Sequence, residues 1–151
     1  MDISLIIERI FDVKKCLDIL TDDHIFDSIS EDGATFEDLK VDVINHYWLG
    51  IYEGMHLIGV FLLRPLYSEC FDVHIHILKE YRKYWKSAGE SIIEWCKENT
   101  PNKTLHTNVP VFCKNVRYFV LSLGFKEAGV IPGVWKKNGK MNDMSIFTRL
   151  V

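Results

Sequence analysis

The chain has 151 residues, 48% of them hydrophobic and 26% charged. That balance predicts one globular domain over residues 1–151, large enough to bury a core without disulfide or metal staples, and excludes a disordered chain. With 18 basic and 21 acidic residues the net charge is −3, so no global attraction to nucleic acid or to an acidic membrane surface follows, and neither is an expected partner.

The N-terminal run MDISLIIERIFD has no basic region and meets acidic residues at once, which does not read as a secretory signal. Apolar runs fall short of the ~20 residues that span a bilayer. Cys16, Cys70, Cys96 and Cys113 form no CxxC pair and read as free thiols. A cytoplasmic location is expected.

In chain order, residues 4–10 read as a strand. Val13, Cys16, Leu17 and Leu20 then form an apolar helical stripe, with Asp12 as N-cap. Ile25, Phe26 and Ile29 suggest a short second helix ending near Asp32-Gly33, and a loop follows to about Val43. Residues 47–52 and 56–63 are strands joined by a tight turn at Glu53-Gly54. Their aromatics, Tyr47, Trp48, Tyr52, Phe61 and a little later Tyr67, are interleaved with apolar residues and read as core rather than as base-stacking platforms.

Residues 71–78 form a strand in which Asp72, His74 and His76 alternate with Val73, Ile75 and Ile77, one polar face and one apolar. A helix over 85–99 carries Ala88, Ile92, Trp95 and Cys96 as its stripe. A strand over 104–109 and a helix over 114–123 stopped by Gly124 come next. Strands 128–137 and 141–150 flank Asn138-Gly139, a type I′ hairpin signal. An antiparallel run followed by a β-α-β unit predicts an α/β fold, a central mixed sheet of about seven strands with helices on its faces.

Chemistry concentrates where the 71–78 strand hands over to a helix. Lys79, Arg82, Lys83 and Lys86 cluster there against Glu80 alone. A helix N-terminus adds unpaired N–H groups and a positive dipole end, which together suit phosphates. The same residues also read as a solvated basic turn.

The stretch Glu80-Tyr81-Arg82, the turn after it and the helix that follows resemble the coenzyme A motif of the GNAT acyltransferases. That family reads V-x-P-E-Y-R, then R/Q-x-x-G-x-G/A. The resemblance implies that Arg82, with Lys83 and Lys86, holds the CoA phosphates, and that Ile77 and Leu78 pair with the pantetheine arm. Trp85 and Ser87 fall on the two small-residue positions, and Trp85 departs from the glycine that would let backbone approach phosphate.

The hairpin carrying Gly59 resembles the strand pair that precedes this motif, and VPVFCKNVRYFVLSLGFKEAG resembles the family's fifth strand and fourth helix. Gly124-Phe125 and Gly129 match there. Cys113, Val116 and Val120 replace the usual Asn, small residue and Tyr; Tyr118 lies about 200° around the helix from Val120 and is no obvious substitute for the Tyr that protonates the leaving thiolate. The resemblance runs over essentially the whole chain. Asp72-x-His74, Ile77-Leu78, Arg82 and Val109-Pro110 are in addition similar to a group of small bacteriophage proteins with a GNAT-like fold, some described as head-assembly proteins.

The resemblance implies acyl transfer from acyl-CoA, most simply acetyl-CoA, to a primary amine. His74 or His76 is the expected base, with Asp72 to orient it; the alternative is that all three form the polar face of a sheet. A metal would need further convergent ligands, and none is expected. Cys113 near a helix N-terminus reads as a small buried residue rather than a nucleophile. Glu31, Asp32, Glu37, Asp38 and Asp42 would lie on the acceptor side, as a solvated loop or as a weak sign of a cationic acceptor. The other function compatible with Trp85, Cys113 and Val120 is a binding or assembly protein that kept the fold without its chemistry. A homodimer is left open.

Overall fold

The computed structural model describes residues 4–151; Met1–Ile3, the start of the N-terminal reading above, lie outside the described residues. Strand β1 (Leu5–Arg9) is followed by helices α1 (Val13–Leu20) and α2 (Asp23–Ile29) and by one 3₁₀ turn, Phe36–Asp38, inside the segment expected to be loop. Then come β2 (Tyr47–Glu53), β3 (His56–Tyr67), β4 (Cys70–Ile77), a 3₁₀ stretch over Lys79–Tyr84, α3 (Trp85–Asn99), β5 (Thr104–Pro110), α4 (Lys114–Ser122), β6 (Lys126–Lys137) and β7 (Lys140–Leu150).

The local signals act as expected. The Asp12 carboxylate accepts the Lys14 N–H at 2.9 Å and starts α1. Asn138 and Gly139 both have positive φ, 54° and 76°, the backbone that a two-residue turn between β6 and β7 requires. Strand β3 runs four residues past the expected Leu63, through Pro65, to Tyr67. That extension leaves Tyr67 76% exposed, so it is not core. Trp48 and Phe61 are buried, while Tyr47 is half-buried and stacks on Phe71 at 5.7 Å.

All seven strands join one mixed sheet in the order β1-β2-β3-β4-β5-β7-β6. Among the described residues, only β4 and β5 pair in parallel. Helices α3 and α4 cover one face, over Leu63, Val73, Leu105 and Phe147. The other face packs Trp48 and Val60 against Cys16, Ile19 and Ile25 of α1 and α2. At about 25 cal/mol per Å² these two layers supply the main folding drive. Cys16 and Cys96 are buried, Cys70 and Cys113 are half-buried, and all four thiols are free. Among the described residues, no helix is long and apolar enough to cross a membrane.

Two features of β4 set up the site. Its register partner at the far end is Gly59 on β3; a Cβ there would stand 2.5 Å from the His76 carbonyl oxygen and 3.0 Å from the Ile77 Cα, so only glycine lets β3 lie this close. On its other edge, β4 pairs with β5 only through Cys70↔Thr104, Phe71↔Leu105 and Asp72↔His106. Beyond that, β5 continues along β7 to Pro110 while β4 stays with β3 to Ile77, and the two strands part.

Candidate functional site

The parting of β4 and β5 opens a cleft through the sheet. Its cavity of about 190 Å³ is lined by His74, His76 and Ser28 from the α2 side and by Trp85, Phe119 and Val120 from the α3–α4 side. Backbone groups of a strand point alternately to its two neighbours. The Leu78 N–H donates to the Ile58 carbonyl at 2.9 Å, and the Val73 carbonyl accepts the Thr107 hydroxyl at 2.8 Å. Odd residues of β4 therefore face the gap, and among the described residues the N–H and C=O groups of Ile75 and Ile77 have no strand partner there. Ile77 stands at the open edge, whereas the Leu78 N–H is tied to β3, and Ile75 is another β4 residue that faces the gap.

At the mouth, α3 has no side-chain cap and no acidic residue in its first turn. It runs on directly from the 3₁₀ stretch, whose Arg82 carbonyl accepts the Trp85 N–H, so the groups that can attract an anion at this end are basic side chains. Arg82, Lys83, Lys86 and Ser87 are exposed at this end. The Arg82 guanidinium meets the His24 imidazole of α2 and lies 5.4 Å from the centre of the Trp85 ring. Ser87 faces a separate groove beside β1, with Ser4 and Leu5, and does not reach the cleft. Trp85 does: its indole stacks on Phe119 of α4 at 4.8 Å and spans the gap between the helices, with its N–H buried and unpartnered among the described residues.

Asp72, His74 and His76 do share one face of β4; the two rings are half-buried and line the cleft, while Asp72 is covered. Asp72 is 2% exposed. Its Oδ2 accepts from Arg64 Nη2 at 2.6 Å and from His74 Nε2 at 2.8 Å, and its Oδ1 from His106 Nδ1 at 2.9 Å. Burial alone would push the Asp72 carboxyl up; the hydrogen bond and charge of His74, with the hydrogen bonds of His106 and Arg64, outweigh it and hold the group well below the usual carboxylate range. Arg64 and His106 were not singled out in the sequence. The available signal was the β-α-β register, which sets His106 opposite Asp72.

The His76 ring runs parallel to that of His74 at 6.5 Å. Burial, reinforced by the charge His74 can carry, lowers its pKa to about 3. An unfolded histidine titrates near ~6.5, so between those values the unfolded state binds the extra proton and stability falls as pH falls. We expect His76 to remove about 2 kcal/mol of unfolding free energy between pH 7.5 and 5, read by urea titration. His76→Gln should flatten that slope; an unaltered slope would show that the ring titrates freely.

The acidic segment is mostly committed elsewhere. Glu31 accepts the Lys136 N–H at 2.8 Å, and Asp32 accepts those of Asn138 and Gly139 at 2.9 and 2.7 Å, pinning the loop to the β6–β7 turn. Asp38 accepts the Thr35 N–H, and Asp42 those of Ile44 and Asn45. No carboxylate lines the cleft among the described residues. No group of three His, Cys, Asp or Glu side chains suited to a metal ion is found among them either.

Acetyltransferases are among the solved structures that share this architecture. Spermidine N-acetyltransferase from Vibrio cholerae, in complex with CoA and spermine, aligns with a TM-score of 0.81 at 14% identity, over 97% of this chain and 95% of that one. An N-acetyltransferase from Staphylococcus aureus Mu50 gives 0.77 at 14% identity, over 97% of each chain. The GNAT-family acetyltransferase from Streptococcus pneumoniae gives 0.75 at 15%, over 98% of this chain and 100% of that one. At such identities the likeness establishes the GNAT fold. No curated protein matches the sequence. A family model described as protein of unknown function (DUF2824) matches residues 6–149.

Proposed function

The chain belongs to the DUF2824 family of proteins of unknown function, and from its cleft we propose that it is an acyl-CoA-dependent N-acyltransferase acting on a primary amine. The observation that carries this reading is the unpaired β4 edge at Ile75 and Ile77, opening beside the basic turn that leads into α3. We read residues 1–151 as one cytoplasmic domain.

Acyl-CoA supplies an activated thioester carbonyl. The Arg82, Lys83 and Lys86 side chains suit its phosphates. The Ile75 and Ile77 N–H groups suit its pantetheine arm and can polarise the carbonyl. His74 takes the proton from the acceptor amine: its Nε2–H is engaged by Asp72, which leaves Nδ1 as the basic atom. The amine nitrogen forms its bond to the acyl carbon as the carbon–sulfur bond breaks. Val120 offers no phenol to the departing thiolate, so the proton held by His74 is the one available to neutralise it. The cleft lining, with Arg82 and no carboxylate, favours an amine whose remaining groups are neutral or anionic over a polyamine.

Calorimetric titration with CoA tests the reading. We expect one site, weakened about tenfold or more in Arg82→Ala by loss of a charge-assisted contact. No heat at millimolar CoA would sink it. One observation favours a second reading, a binding or assembly protein, phage-encoded, that kept the fold: the Trp85–Phe119 stack crosses the approach that a glycine would leave open. That reading gains if Trp85→Gly binds CoA and the native chain does not.

A further inference from the structure

Arg64, Asp72 and His106 are direct register partners on β3, β4 and β5, so their side chains stand in one row across the sheet, and His74 stands one step further along the same face of β4. The carboxylate at the centre is engaged on both oxygens, Oδ2 by Arg64 and His74, Oδ1 by His106. An ionised carboxylate can only accept hydrogen bonds. The proton on His74 must then sit on Nε2 and that on His106 on Nδ1.

We propose that Arg64 and His106 are positioning residues: by clamping both oxygens of Asp72 they fix His74 as the Nε2–H tautomer, with the Nδ1 lone pair free on the cleft side. The importance of that atom rests on the acyl-transfer reading; the clamp itself does not. If His106 were lost, Oδ1 would have no partner and the carboxylate could turn about its last bond, releasing the constraint on His74. Losing Arg64 would remove a permanent positive charge beside a carboxylate that is 2% exposed. His76 cannot replace either group, because no hydrogen bond joins it to Asp72.

Long-range ¹⁵N–¹H correlation spectra of the full chain, labelled on histidine, read the tautomer without substrate. The six histidines are few enough for His74 to be assigned from the signal missing in His74→Gln. At a pH where the ring is neutral, the native chain should show His74 as Nε2–H alone. His106→Phe and Arg64→Gln should each move it toward a mixture, and His106→Asn, which keeps an N–H donor near the same place, should restore it. A mixed or Nδ1–H signal in the native chain would overturn the proposal. So would a pure Nε2–H signal in both disrupting variants. Arg64 is half exposed, so Arg64→Gln should fold even if His106→Phe does not. A chain that binds no CoA yet shows the pure tautomer would refute the function and leave the clamp standing.

Discussion

Replacing His74 with alanine should lower kcat for acyl transfer by about 10²–10⁴-fold, the range of a positioned general base, while CoA affinity stays near that of the native chain. The ring lines the cleft and is held by Asp72 at 2.8 Å, which gives it both access and orientation. His76 is equally close to the gap and offers the informative contrast. With a pKa lowered to about 3, it has little affinity for a proton at neutral pH, so it is a poor base there. His76→Ala should therefore keep the acid limb of the pH–rate profile, and His74→Ala should flatten it. An unchanged profile in both would remove the base assignment, and an equal loss in both would show that the pair acts together.

Asp72→Ala should cost about 3 kcal/mol of unfolding free energy, measured by urea titration at pH 7. Three N–H donors lose their acceptor at once. The guanidinium is 46% exposed and recovers water, so most of the cost falls on the His74 and His106 side. The pH dependence has a definite sign. A carboxyl held below its unfolded value near ~3.9 contributes fully above that pH, and its contribution is lost only as pH falls through the lower folded value. The gap between native and variant should thus be flat from pH 7 to 5 and close in stronger acid. A gap that closes between pH 7 and 5 would mean that Asp72 is not held ionised by its neighbours.

The elements written in local pattern were legible: the Asp12 cap, the Asn138-Gly139 turn, the amphipathic stripe of α3 and the basic turn before it. The cleft was not, because it arises from where β4 stops pairing with β5, some thirty residues away in sequence. The Asp72 cluster shows the same limit. Asp72 and His74 could be placed together from strand alternation, but Arg64 and His106 read as isolated polar residues until register aligns the strands. The acidic loop misled for a related reason. Glu31 and Asp32 resemble free surface charge, yet their oxygens satisfy backbone N–H groups of a turn more than a hundred residues later. Strand parity separates Ile77, which faces the gap, from Leu78, which bonds to β3, a one-residue distinction that motif matching does not resolve.

Trp85 is the residue on which enzyme and non-enzyme readings divide. It stands at the mouth of the cleft, stacked on Phe119, with Arg82 over its face. Occupation of the cleft would need that indole to rotate away from α4 or to serve as one of its walls. The most direct measurement is a crystal structure of the chain grown with millimolar acetyl-CoA. The pantetheine arm should lie along Ile75 and Ile77, the phosphates at Arg82, Lys83 and Lys86, and the thioester beside His74. An empty cleft with the Trp85–Phe119 stack intact would contradict this.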